Sequence, residues 1–259
     1  MKMLRTITCS AVVGLLLCAG SGLAQVSTGG MGKVLPVELY ICKFNDGQGA
    51  GDLERVISRW TKYADDNDIN DYAAWTLTPF FYGSEQDFDV IWMGAYTDGN
   101  AMGKGTDNWL ATGGELQAAF DKVVDCNSHV ALASAMYKAP ADGATPSSGF
   151  ITMMDCKLNE GRRYGDIRSA ELKWADHLSG AGSKAGYWHW FPMYGGGDAE
   201  FDYKVVFAYA SFAEIGADFE QFANGGGREF SEETFGDIDE CDDARVYVAT
   251  SRRTAKLRD

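Results

Sequence analysis

Residues 37–60, VELYICKFNDGQGAGDLERVISRW, are answered by residues 151–174, ITMMDCKLNEGRRYGDIRSAELKW, and this echo decides how the chain is built. Each stretch runs an apolar strand into a cysteine, turns through Asn-x-Gly, and enters a helical pattern that reaches a Trp. The correspondence continues downstream, where Trp75, Pro79, Tyr96, Gly113, Gly114, Phe120 and Cys126 match Trp188, Pro192, Tyr209, Gly226, Gly227, Phe235 and Cys241. The spacing is 114 at Cys42/Cys156, 113 at Trp75/Trp188 and 115 at Cys126/Cys241, so only loop-sized insertions separate the copies. A period of about 100 residues is too long for a solenoid unit and fits two similar domains or half-barrels.

Within the first copy, residues 37–44 read as a strand closed by the Asn45-Asp46-Gly47 turn. Leu53, Val56, Ile57, Trp60 and Tyr63 then recur at helical spacing, which predicts an amphipathic helix with one buried face. Strands are expected over 73–81 and 88–96, a helix around 108–122 interrupted at Gly113-Gly114, and a last strand over 129–137. The order is β-α-β-β-α-β, and the second copy repeats it. This places one repeat at 35–140 and the other at 150–255, with a Pro, Ala, Gly and Ser-rich linker at 141–149.

The chain opens with Lys2 and Arg5, an apolar run over 11–18, and Ser21-Gly22-Leu23-Ala24, the pattern of a secretory signal peptide spanning 1–24 and cleaved near Ala24. Removing it takes Cys9 and Cys18 and leaves four cysteines. The net charge is -14, and -16 without Lys2 and Arg5, which disfavours nucleic acid and anionic membrane surfaces as partners. No later stretch approaches about 18 consecutive apolar residues, so no membrane association is expected after processing. With 46% hydrophobic residues and 5 prolines the chain carries enough apolar surface for a packed core. The expectation is an exported protein, periplasmic or secreted.

The element order is the ferredoxin-like split βαβ, an antiparallel sheet with both helices on one face. Two such units cover their bare sheet faces by packing sheet to sheet. On this order and duplication the chain resembles the dimeric α+β barrel superfamily, to which antibiotic-biosynthesis monooxygenases belong. The resemblance implies an α+β fold of two tandem repeats forming a single-chain barrel, a monomer with a pseudo-dimeric fold that leaves further assembly open. It also implies that the last strand of each repeat lies antiparallel beside the first. That topology favours disulfides Cys42–Cys126 and Cys156–Cys241, which an exported protein permits. The competing use of the cysteines, a metal site, lacks paired CxxC or CxxH spacing.

A site built in only one copy should show as a departure from the other. Asp155, Glu171, His189 and Lys204 stand where the first copy has Ile41, Ile57, Thr76 and Ile91, and His177 stands where it has Tyr63. Glu171 falls on the apolar stripe of Ile167, Ala170, Trp174 and Leu178, where a carboxylate must find a cation, take a proton or face a solvated cavity. These five are the candidate catalytic residues, with His189 or Glu171 as base and Lys204 stabilising an anion. Strand alternation over residues 187–191, YWHWF, sends Trp188 and Trp190 to one face and Tyr187, His189 and Phe191 to the other. Tyr187, Trp190, Phe191 and Tyr194 are the candidate substrate contacts. The competing reading makes His189 a satisfied core histidine and the aromatic strand a repacked core. His129 and His177 have no partner at metal-ligand spacing, and the acidic run at 66–71 lacks the glycine of a calcium loop, so no metal is expected. Taken with the resemblance, these residues lead to an expected small-molecule enzyme, cofactor-independent and of oxygenase or lyase type, acting on a hydrophobic or aromatic compound without a bound cofactor. The alternative is a non-catalytic binding module for a hydrophobic ligand.

Overall fold

The structure, a computed structural model, describes residues 33–141, 148–197 and 200–255. The expected signal peptide and most of the expected linker lie outside the described residues. The first repeat comprises β1 (Leu35–Phe44), α1 (Ala50–Asp66), β2 (Tyr72–Phe81), β3 (Val90–Tyr96), α2 (Gly99–Thr112), α3 (Gly114–Phe120) and β4 (Val124–Lys138). The second comprises β5 (Ser148–Leu158), α4 (Tyr164–Gly180), β6 (Gly186–Tyr194), β7 (Tyr203–Tyr209), α5 (Phe212–Asn224), α6 (Gly227–Phe235), β8 (Asp239–Cys241) and β9 (Arg245–Arg253).

Several shared residues have local explanations. Asp52 and Asp166 each accept the backbone N–H three residues upstream, from Gly49 at 3.0 Å and Arg163 at 2.8 Å, and so cap the starts of α1 and α4. Asp89 and Asp202 accept the N–H groups of Phe44 (2.8 Å) and Leu158 (2.7 Å), pinning the end of the first strand of each repeat. The helical segment after β3 starts at Gly99, well before the expected residue 108. Its three glycines lower helix propensity, but the Asp98 side chain accepts the Ala101 N–H at 2.9 Å and starts the helix there.

All strand pairings are antiparallel, in the order β7-β6-β4-β1-β3-β2-β9-β5, and β5 pairs with β7 to close an eight-stranded barrel; β8 extends the edge of β5. Each repeat contributes four strands in the ferredoxin-like order. The seams between repeats are β4 with β6 and β2 with β9. Val37, Leu39, Leu77, Met93, Ile151, Met153, Trp190 and Val206 fill the barrel interior. The opposite faces are covered by helices, which is why the strands carry apolar residues at both parities. No described helix is long and apolar enough to cross a membrane.

Cys42 sits opposite Cys126 on β1 and β4, and Cys156 opposite Cys241 on β5 and β8; both pairs are disulfides. Alkylation of the unfolded, unreduced protein should therefore label none of these four cysteines, and their labelling should require reductant. Labelling without reductant, read by mass spectrometry, would contradict the pairing.

Candidate functional site

The second-repeat candidates separate onto the two faces of their sheet. Glu171 on α4 is 1% exposed and His189 on β6 is 0% exposed, with His189 Nε2 lying 2.9 Å from Glu171 Oε1. The Tyr187 hydroxyl donates to Glu171 Oε2 and lies 3.0 Å from His189 Nε2. The Tyr203 ring stacks on His189 at 4.5 Å while its hydroxyl donates to Asp239, and Tyr137 tilts over the imidazole at 4.9 Å and bonds Tyr164. Phe191 meets Tyr164 edge-on at 4.2 Å. This is a sealed network, in which the carboxylate has found an imidazole and a phenol. His189 Nδ1 has no hydrogen-bond partner among the described residues. Burial pushes the Tyr187 hydroxyl well above its ordinary pKa, and the Glu171 charge adds to this.

Asp155 and Lys204 face the other way, pairing with each other across β5 and β7, with Arg245 3.3 Å from Asp155. Burial pulls the Lys204 ammonium below its usual range, and Asp155 opposes that. Trp190 lies in the barrel core, and Tyr194 is 64% exposed at the end of β6. His177 is stacked on Trp174 and Phe230, at 5.2 and 4.4 Å between ring centres. Glu171, His189, Tyr187 and Phe191 are thus brought together, whereas Asp155, Lys204, His177, Trp190 and Tyr194 lie elsewhere.

Burial is the main cause that raises the Asp239 carboxyl, partly offset by the Tyr203 hydrogen bond. A carboxyl raised in the folded state contributes stability that is full below its unfolded pKa of about 4 and is lost as pH rises through the folded value. Asp239→Asn should flatten the fall in stability as pH rises above about 4, the unfolded carboxyl value. Urea midpoints at a series of pH values check this, an unchanged profile being the contrary result.

The first repeat holds a different arrangement between its sheet and helices. Glu38 on β1 has a side chain only 14% exposed, and it accepts the hydroxyl of Tyr72 at 2.7 Å and that of Tyr96 at 3.4 Å. Its other oxygen lies 3.2 Å from His129 Nε2 on β4. Trp92 Nε1 donates to the Tyr72 hydroxyl at 2.8 Å, and the His129 ring stacks on Tyr40 at 3.7 Å. These groups line a cavity of about 160 Å³ walled by Trp60, Trp92, Trp109 and Phe120. Burial, reinforced by the Glu38 charge, raises the hydroxyls of Tyr40, Tyr72 and Tyr96 above the usual tyrosine range, and those of Tyr72 and Tyr96 are the donors to Glu38. His129 is at the rim, with 51% of its side chain exposed, so the carboxylate has an imidazole neighbour in contact with solvent.

Glu38, Tyr40 and Tyr72 did not stand out in the sequence comparison, and Tyr96 did so only as a position shared with Tyr209, although one signal was present. Glu38, Tyr40 and Cys42 share the helix-covered face of β1, a carboxylate on an otherwise apolar face. Gly94 makes room for this site, because a Cβ there would land on the Tyr72 ring and hydroxyl. Tyr72 is wedged between Trp60 and Tyr96, at 6.0 and 4.6 Å. Gly94→Ala should therefore cost about 1–3 kcal/mol by overpacking and release Tyr72 from Glu38. A wild-type urea midpoint would show that Tyr72 yields freely.

Neither a protein-family model nor a curated protein sequence matches the chain. Solved structures do. A candidate chlorite dismutase aligns with TM-score 0.53 at 9% identity over 85% of this chain and 95% of its own. A candidate monooxygenase from Lactobacillus acidophilus NCFM aligns with TM-score 0.52 at 7% identity over 87% and 95%. A heme-binding protein from Thermus thermophilus aligns with TM-score 0.49 at 10% identity over 85% and 92%. The expectation of a chain without a cofactor is corrected by this set, which includes chlorite dismutase-like proteins, one of them solved in complex with imidazole (TM-score 0.50, 6% identity). At identities of 7 and 9% the likeness is one of architecture: the chain folds as an α+β barrel like those of chlorite dismutase-like and monooxygenase-like proteins.

Proposed function

We propose that this chain is an exported small-molecule enzyme whose site is the aromatic cavity of the first repeat, where Glu38 performs acid–base chemistry on a flat, largely apolar compound with an acidic C–H. The observation that carries this reading is the Glu38 carboxylate, nearly buried at an aromatic cavity and held by two phenols and an imidazole. The indole and phenyl walls suit a planar substrate. Glu38 takes the proton, and the electron pair passes to the substrate's adjacent carbonyl oxygen. As the charge leaves Glu38, the Tyr72 and Tyr96 hydroxyls are free to donate to the new oxyanion. His129 exchanges the proton with solvent. The names of the solved neighbours, a dismutase and a monooxygenase, are enzyme names and support a catalytic reading. Two disulfides support export.

Heme would need an axial ligand and a slot for the macrocycle. His189 Nε2 is turned to Glu171 and Tyr187 beneath the Tyr203 ring, His177 is stacked on Trp174 and Phe230, and His129 is stacked on Tyr40 and bonded to Glu38. Two cavities among the described residues, about 160 Å³ in the first repeat and about 290 Å³ in the barrel interior, fall below the roughly 300–1,000 Å³ typical of pockets for drug-sized ligands, and an iron porphyrin is larger still. The residues as arranged do not fit heme, and no step is derived through it.

The test is proton exchange at C1 of 2-tetralone in D₂O, followed by NMR. Catalysed exchange supports the reading, and binding without exchange in this compound class points instead to a binding module.

A further inference from the structure

The barrel interior contains a second cavity of about 290 Å³ that shares no lining residue with the first-repeat site. Small side chains on several strands, Ala95, Ala208 and Ala249, leave the space, and Trp75, Trp188 and Trp190 wall it. Lys184, exposed, and Glu214, partly exposed, also line it, and mark where it meets solvent. Trp190 is 5% exposed, yet its Nε1–H has no hydrogen-bond partner among the described residues. A buried donor without an acceptor is rare and costly in a folded protein. A buried water needs two to four polar partners, and away from the Lys184 and Glu214 mouth the lining offers Ser134 beside Trp190 and otherwise mainly apolar side chains.

We infer that the barrel interior is a ligand site of its own, taking a flat apolar molecule that carries one carbonyl acceptor, which receives the Trp190 N–H. A ketone, quinone or ester carbonyl supplies the acceptor, and the alanine and tryptophan walls receive the hydrocarbon.

The test uses a matched pair of probes, 2-acetylnaphthalene and 2-ethylnaphthalene, which differ at one carbon by a carbonyl in place of a methylene. Calorimetric titration of the intact mature protein should show the ketone binding about fivefold more tightly, the worth of one neutral hydrogen bond. Trp190→Phe should abolish that preference, bringing the ketone and the ethyl compound to the same affinity. Ala208→Leu, which fills the cavity, should remove binding of both. A second readout needs no packing change: with indole-¹⁵N-labelled protein, the Nε1–H resonance missing from the Trp190→Phe spectrum should shift with the ketone and stay nearly still with the ethyl compound. The inference is overturned if neither probe binds, if the preference survives in Trp190→Phe, if folded Ala208→Leu binds both as before, or if the Trp190 resonance ignores the ketone.

Discussion

Glu171→Ala is expected to destabilise the folded chain by about 3–5 kcal/mol, the cost of removing one partner from a buried pair. The carboxylate is 1% exposed and serves both His189 and Tyr187. Without it, the imidazole Nε2 and the phenol keep only each other, and a void opens beneath α4. Because Glu171 and His189 share one interaction, the double variant Glu171→Ala/His189→Ala should cost less than the two single variants added together. Urea unfolding followed by tryptophan fluorescence measures both quantities. A wild-type midpoint for Glu171→Ala would mean that the network does not hold the second repeat together.

Glu38→Gln is the second large expected effect, and it separates chemistry from folding. The amide keeps the shape and can still accept the Tyr72 hydroxyl, so stability should change little. It cannot take a proton, so exchange at C1 of 2-tetralone should slow by about 10²–10⁴-fold, the usual range for a general base. In the second repeat the carboxylate is sealed in and its loss should weaken the fold, whereas in the first it faces a cavity and its loss should silence the chemistry. Unchanged exchange in Glu38→Gln would move the chemistry away from this pocket.

Much of the architecture was legible because duplication is a pattern of rare residues. Cys42, Trp60 and Trp75 with their counterparts mark equivalent points, and a strand order that places the last strand beside the first determines which cysteines meet. The second-repeat departures were legible as well, since a Glu on an apolar helix stripe must be paired, and Glu171 is. Their grouping was not. Asp155 and Lys204 sit one residue out of step with the strand positions that face His189, and in a strand one step reverses the face. Glu38 was missed for a different reason. Taking the first copy as the plain reference directed attention to what the second had gained, yet Glu38 stands where the second copy has Thr152, so each half has a carboxylate the other lacks. The early start of α2 was hidden by glycines whose low propensity a single Asp98 cap offsets. Cavity volume depends on how side chains from many strands converge, which no local pattern records.

The most direct measurement of the central claim is a crystal structure of the mature protein with 2-naphthol, the aromatic counterpart of the enol that 2-tetralone would form. The account predicts the naphthol between Trp60, Trp92 and Trp109, with its oxygen about 2.5–3.0 Å from the Glu38 carboxyl or from the hydroxyls of Tyr72 and Tyr96. Naphthol bound only elsewhere, or a first-repeat cavity that stays closed to it at saturating concentration, would contradict the assignment of this pocket as the site.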